Sequence, residues 1–525
     1  MPTAPTDRTP STQLAPALAP HFAPHLAHWP PGVPHHLSLP GTHLFHNLEV
    51  SAARYPDKPC TVFFDTVLSY RDFKAEAEAL AGHLQAVCGV QRGDRVLLVM
   101  QNSPQWAIGF YAILRADAVV VPVNPMNRTE ELRHLLADSG AAVALVAQDL
   151  LDEMLPLHRS QPLGGLQHLV VATYSDHVIS ADGDPSSTDS VPDIVPDFVR
   201  APRRVPAREG VVAWCDAIAG RHAPGPLQGH ADDIAVLPYT SGTTGAPKGC
   251  VHSHRTVMAN SVGGTVWFNR TQDASYLSAL PFFHVTGLTG SMSGPIYLGA
   301  TIVILPRWNR EAAAAAVRRH RITTWQTITA MVVDFLANPA LDVADLRSLS
   351  VIRGGGAAMP EAVAHRLHAE VGLDFIEGYG MTETMAATHL NPPQRPKAQC
   401  LGMPLFDVDS RVIDPVTGTE VPAGESGEIV VHGPQVMQGY WRDPQADAAA
   451  FIEIGGKRFL RTGDLGRVDE DGYFFMTDRL KRMINASGFK VWPAEVELLM
   501  FRNPAIQEAC VISMKDAYRG ESVKA

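Results

Sequence analysis

An alternation of two hydrophobic periods constrains this chain more than any other feature of its sequence. Short apolar runs of strand length recur at TVFFD from Thr61, RVLLVM from Arg95 and AVVVPV from Ala118. Between them, apolar residues return every three to four positions. Phe73, Ala77, Leu80, Leu84 and Val87 share one helical face, opened by Ser69 and Asp72 in a capping-box-like start. A second helix is expected near Gln105 to Leu114 and a third from about Thr129. This pattern predicts α/β layers with parallel strands, whose ligands bind in the crevice at the strands' carboxyl ends.

The segment from about Ser160 to Gln228 is rich in Pro, Asp, Gly and Ser and predicts irregular surface, with a short helix around Val211 to Ile218. The alternation then resumes. Strands are expected near Tyr276 to Leu280, at TIVIL (Thr301 to Leu305) and ending at Arg353, with a helix from Glu311 to His320. Three short stretches sit at such strand ends: PFFHVTG (Pro281 to Gly287), RGGGAAMP (Arg353 to Pro360) and EGYGMTET (Glu377 to Thr384). From Leu401 to Phe475 the helical period fades into β-like runs such as EIVVHG and GYFFM, with RTGDLG (Arg461 to Gly466) between them. A basic turn, DRLKRMINASGFK, leads to a helix opened by Pro493, whose fixed φ suits a first turn.

The stretch YTSGTTGAPKG, Tyr239 to Gly249, combines three glycines, four Ser/Thr hydroxyls and one lysine in eleven residues. Gly242, Gly245 and Gly249 let the backbone approach a ligand closely. Thr240, Ser241, Thr243 and Thr244 offer hydroxyl donors, and Lys248 a point positive charge. Phosphate is the ligand that this combination suits. It is not the GxxxxGK[ST] phosphate loop, and by composition alone such a loop is most often only a flexible connection.

The net charge of −11 excludes a nucleic-acid footprint, and no dense Lys/Arg cluster overrides it. The six cysteines form no CxxC pair, so neither a disulfide framework nor a structural zinc site is expected, and a reducing cytoplasm fits. No apolar run is long enough to span a bilayer, so no integral membrane association is expected. Residues 1–43 hold ten prolines and five histidines in their first forty positions and predict an extended, solvated arm.

In this order and at these distances the motifs resemble the adenylate-forming superfamily, from about Leu44 to the end of the chain. Members include acyl-CoA synthetases, aryl-acid ligases and peptide-synthetase adenylation domains. The resemblance implies an α/β fold: a large N-terminal domain of αβ-layered sheets (44–480), β-rich from about 400, and a small mobile α+β C-terminal domain (481–525). It also implies ATP, Mg²⁺ and coenzyme A as cofactor and co-substrates, and is compatible with a homodimer.

By resemblance, Thr240, Ser241, Gly242, Thr243, Thr244, Gly245 and Lys248 surround the β- and γ-phosphates of ATP. Tyr379 stacks on adenine, Gly354, Gly355 and Gly356 form a glycine-rich turn beside adenine and the acyl pocket, and Asp464 and Arg479 hold ribose. Thr382 touches the α-phosphate and Glu383 holds magnesium, an ion that takes one or two carboxylates and completes its shell with phosphate and water. His284 stands where acyl pocket and pantetheine tunnel meet, with a buried structural histidine as the rival reading. Val285, Gly356, Gly378 and Met385 are expected to line the acyl pocket, together with Thr286, Leu288, Thr329, Ala330, Met331, Ala357 and Met381. Lys481 is the hinge, Lys490 meets phosphate in one conformation, and Ser487, Gly488 and Phe489 line the thioester tunnel in the other.

The implied reaction is ATP-dependent acid–thiol ligation: acyl-AMP formation with loss of pyrophosphate, then acyl transfer to coenzyme A. PFFHVTG carries no aspartate to pair with an amino group, so an uncharged acid is expected, and INASGFKVWPAEVE looks closest to medium- or long-chain fatty-acyl-CoA synthetases. Two alternatives stand beside it: a ligase for aromatic or short branched acids, and a non-catalytic nucleotide- or acyl-binding protein. The second arises because the family's C-terminal lysine has no counterpart before Ala525, which makes a truncated chain the expectation. The stretch after Lys481 is shorter than the roughly 70 residues that a self-sufficient core needs.

Overall fold

The computed structural model describes residues 23–159, 165–178, 195–240, 246–480, 484–486, 489–491, 493–500, 506, 509–516 and 520–525. Two large sheets carry the body. In the nine-stranded sheet, six adjacent strands run parallel in the order Phe375–Met381, Val351–Gly355, Thr324–Ile328, Ser275–Ser278, Thr301–Ile304 and Pro59–Phe63. Antiparallel strands close both edges. The seven-stranded sheet is parallel from Ile234–Val236 through Val119–Pro122, Arg95–Val99, Val143–Ala147 and His168–Ala172 to Val211–Ala213.

Three of the helices that share the largest apolar core with residues of both sheets begin at a serine. Ser69 accepts from Asp72 N ahead of Tyr70–Ala86, Ser103 from Trp106 N ahead of Pro104–Arg115, and Ser253 from Thr256 N ahead of His254–Trp267. These caps satisfy amide groups that a helix start leaves unpaired. Pro104 adds the fixed φ of a first turn. Of the expected helical face, Phe73, Ala77, Leu80 and Leu84 are fully buried, whereas Val87 follows the helix and is exposed.

From Asp409 to Arg479 the chain forms a five-stranded antiparallel sheet, the β-rich unit expected from the loss of helical period. A four-stranded antiparallel sheet and the helix Pro493–Met500 follow. Among the described residues, no helix is long and apolar enough to cross a membrane.

Three expectations are corrected. The segment 160–228 contributes two strands, HLVVA at His168–Ala172 and VVA at Val211–Ala213, to the parallel sheet. Strands buried on both faces read as short apolar runs without alternation, which is easily lost among turn residues. Second, the strand expected to end at Arg353 continues through Gly354 and Gly355, so these two glycines are strand and not turn. A Cβ on Gly354 would lie 1.9 Å from Thr327 O, and one on Gly355 2.3 Å from Gly378 O. Third, the described part of the N-terminal arm packs on the body: Trp29 is buried in a T-shaped contact with Trp267, ring centroids 4.7 Å apart, and also meets Phe406.

Candidate active site

The carboxyl ends of the parallel strands open into one cleft of about 1920 Å³, larger than the roughly 300–1,000 Å³ of most small-molecule sites. Its walls include Thr240, Lys248, His284, Tyr379, Thr382, Glu383, Asp464 and Arg479, which come from five separate stretches of sequence.

The glycine loop enters as a two-residue antiparallel pair, Thr240 opposite Lys248 and Tyr239 opposite Gly249. Ser241, Gly242, Thr243, Thr244 and Gly245 lie outside the described residues. Lys248 Nζ stands 3.6 Å from Asp443 Oδ2 and 5.3 Å from the ring centroid of Tyr440. Tyr440 Oη in turn donates to Glu383 Oε1 at 2.9 Å. A tyrosine absent from the sequence-based set thus stands between the loop's cation and the buried carboxylate of the turn 382–384.

That turn is held from three sides. His252 Nε2 donates to Thr382 O at 2.8 Å, and burial lowers this histidine's pKa to about 4, so the ring is neutral at physiological pH. Asn260 Nδ2 donates to the carbonyls of Thr384 and Met385 at 3.0 and 2.8 Å. Met437 N donates to Glu383 O at 2.8 Å. Met385 and Ala386 adopt positive φ, 48° and 92°, a conformation that costs energy in side-chain-bearing residues. Gly380 beside them is obligatory, because a Cβ there would stand 1.8 Å from Ala386 O.

Elsewhere on the wall, Tyr379 Oη donates to Asp464 Oδ2 at 2.7 Å, and Arg479 Nε lies 3.2 Å from Asp464 Oδ1. Asp464 and Arg479 are also register partners on neighbouring strands. Burial raises the pKa of Asp464, while the Tyr379 hydroxyl and the Arg479 charge both work against that rise. The carboxylate is therefore oriented at both oxygens.

His284 opens to the cleft, yet protein packs closely enough around its ring for desolvation to lower its pKa. Its Nδ1 accepts from Thr286 N at 3.3 Å, which directs Nε2 as the remaining donor. Gly354, Gly355, Gly356 and Gly378 line the cleft. Val285 and Met385 do not: both are buried core residues, 2% and 0% exposed, and Thr286 and Gly287 take the cleft wall instead. Leu288, Thr329, Ala330 and Met331 are likewise absent from the wall, which Ala357 and Met381 do line. Residue type alone cannot say which side of a turn faces a cavity. Phe489 and Lys490 lie in the short strand Phe489–Val491, while Lys481, Ser487 and Gly488 lie outside the described residues.

Four residues outside the sequence-based set complete the site: Tyr440, His252, Asn260 and Glu377. Glu377 is 8% exposed, accepts from Met359 N and Gln399 N, and has its pKa raised by burial to about 7. For Tyr440 the available signal was an aromatic pair, GYW, in an otherwise β-rich stretch.

The family model described as AMP-binding enzyme matches residues 48–441. A long-chain-fatty-acid–CoA ligase of Bacillus subtilis (strain 168) is 33% identical over 95% of this chain and 88% of its own length. 4-Coumarate–CoA ligase 3 of Oryza sativa subsp. japonica is 30% identical over 88% of this chain and 79% of its own. Among solved structures, ATP-bound MatB from Rhodopseudomonas palustris superposes with a TM-score of 0.77 at 27% identity, over 92% of this chain and 88% of that one. The chain belongs to the AMP-binding enzyme family, as an AMP-forming acid–thiol ligase of the acyl-CoA synthetase type.

Proposed function

We propose that this ligase activates a medium- or long-chain fatty acid as acyl-AMP and transfers the acyl group to coenzyme A. The support for the fatty acid is the B. subtilis relative, matched over nearly the whole chain, above the 4-coumarate relative in both identity and coverage. The observation that carries the adenylating reading is the convergence of Lys248, Tyr440 and Glu383 in one cleft whose wall also holds the linked Tyr379, Asp464 and Arg479.

In this reading Asp464 accepts the ribose hydroxyls, and Tyr379 both orients it and stacks on adenine. Lys248 and the hydroxyls of the loop hold the β- and γ-phosphates, and the Thr382 hydroxyl meets the α-phosphate. Charge spreads over phosphoryl oxygens as the fatty carboxylate attacks phosphorus and pyrophosphate leaves, so positioning and fixed positive charge do most of the catalytic work. Glu383 fits a magnesium site: Oε1 is oriented by Tyr440, and Oε2 makes no hydrogen bond among the described residues. Magnesium there would neutralise phosphate charge, with phosphate oxygens and water completing its shell. His284 stands beside the acyl carbon, with Thr286, Gly356 and Gly378 lining the acyl pocket; the thiol of coenzyme A then attacks that carbon and AMP departs. Lys481 serves as the hinge between the two steps, Lys490 as a phosphate contact, and Ser487, Gly488 and Phe489 as the tunnel.

Screening AMP release across straight-chain acids of graded length, benzoates and cinnamates tests the substrate class. Highest kcat/KM among straight-chain acids is expected. A preference for cinnamates or benzoates would replace the fatty acid with an aromatic one.

A further inference from the structure

Arg353 is 4% exposed and lines the same cleft, yet it has almost no polar partners. Its Nη1 donates to Gly264 O at 3.0 Å, its guanidinium carbon lies 4.5 Å from the centre of the Phe268 ring, and its Nε has no partner. Among the described residues no carboxylate stands within ion-pair distance of it. A guanidinium carries five donors and remains charged in proteins, and a buried charge of this kind is costly unless paired. Burial lowers its pKa only to about 10, so the charge persists at neutral pH.

The surroundings share the deficit. Gln326 is the register partner of Arg353 on the neighbouring strand, so both side chains leave the same face of the sheet. Two residues earlier on that face stand Thr324 and its own register partner Tyr276, whose Oγ1 and Oη are also buried without a partner. The other charged neighbour is a second guanidinium, Arg270, engaged with Phe268 O and the Ser350 hydroxyl. Glu377, which also lines the cleft, is the register partner of Gly354, so its side chain leaves the face of the sheet opposite to that of Arg353, and its Oε1 accepts there from Met359 N and Gln399 N. Gly264 and Gln326 line the cleft with Arg353, which places this pole on the wall that continues inward from Gly354–Gly356.

We propose that Arg353 anchors the far end of the acid substrate, and that this substrate carries a second carboxylate: an α,ω-dicarboxylic acid, one end activated and the other held by the guanidinium. The proposal rests on the ligase reading above and names its substrate more closely. A carboxylate matches the planar fork of a guanidinium with two parallel hydrogen bonds, which a terminal methyl group cannot replace. A site whose buried donors are left unpaired by the wrong ligand discriminates strongly against it.

The test measures binding by calorimetry, without nucleotide, of α,ω-dicarboxylic acids of graded length and of monocarboxylic acids with equal carbon number. The wild-type protein is expected to bind its best diacid at least ~10-fold tighter than the matched monoacid. Arg353→Met should weaken the diacid ~100-fold and leave the monoacid within ~3-fold, with Arg353→Lys intermediate. Preference of the wild type for the monoacid, or an equal loss of both acids in Arg353→Lys and Arg353→Met, overturns the anchor. The wild-type preference and Arg353→Lys decide the matter without Arg353→Met, should that variant not fold. A diacid that binds through Arg353 yet releases no AMP with ATP and coenzyme A would sustain the anchor and contradict the ligase reading.

Discussion

The hydroxyl of Tyr379 lies 2.7 Å from Asp464 Oδ2, joining the end of a parallel strand in the nine-stranded sheet to the β-rich unit 85 residues later. Removing only that hydroxyl separates ring from hydrogen bond. Tyr379→Phe is expected to raise KM for ATP about 10-fold, the worth of one hydrogen bond to a charged group, while Tyr379→Ala costs a further ~10-fold through lost stacking. Because the hydroxyl holds the Asp464 pKa down, Tyr379→Phe should also shift the acid limb of the kcat/KM profile to higher pH. Initial rates across pH check both.

Tyr440 orients Glu383, the residue proposed to hold magnesium. Losing an oriented partner of a metal ligand typically weakens metal binding 10- to 100-fold. Tyr440→Phe should therefore raise the Mg²⁺ concentration for half-maximal rate about 10-fold while leaving KM for the acid unchanged. A magnesium titration of both proteins measures this.

Glu377, with a pKa raised to about 7, is expected to make stability depend on pH. The native state binds this proton more tightly than the unfolded chain does. The carboxylate thus imposes no penalty below about pH 4.5, and the penalty grows up to pH 7 and is complete above it. Glu377→Gln keeps an oxygen acceptor for Met359 N and Gln399 N and removes the charge. It should gain stability over wild type between pH 5 and 8, by up to about 3 kcal/mol, and show no gain at pH 4.5. Denaturant unfolding at several pH values reads the difference.

Gly354→Ala would drive a methyl group into Thr327 O, 1.9 Å from the ideal Cβ, in the middle of the strand wall of the cleft. The two nearest atoms, Thr327 O and Thr327 C, are backbone, so relief requires the strands to part. A stability loss above ~2 kcal/mol is expected, together with loss of acid-dependent activity. Gly372→Ala, at an exposed helix end with positive φ and open space, should cost less, since only backbone strain opposes it. Thermal unfolding ranks the two.

The α/β layering was legible because most strands are continuous apolar runs and three core helices are capped by serines. HLVVA was hidden by its turn-rich surroundings, and Gly354–Gly355 by the poor strand preference of glycine, which close approach to neighbouring backbone overrides. Motif residues such as Glu383 and Asp464 were legible as types in a constellation. Tyr440, His252 and Asn260 were not, because they act on one carboxylate and three carbonyls distant in sequence, a relation that only folding creates. Val285 and Met385 suit an apolar pocket equally well by type, yet their backbone positions turn them into the core. Arg353 lay inside a quoted motif, but its isolation among apolar and hydroxyl groups is visible only in three dimensions.

The central claim is that the cleft bounded by Lys248, Glu383 and Asp464 performs adenylation. Acid-dependent ATP–pyrophosphate exchange measures that half-reaction without coenzyme A. Lys248→Ala and Glu383→Ala are each expected to lower exchange at least ~100-fold while unfolding at the wild-type temperature within a few degrees. Wild-type exchange rates in both variants would contradict the account.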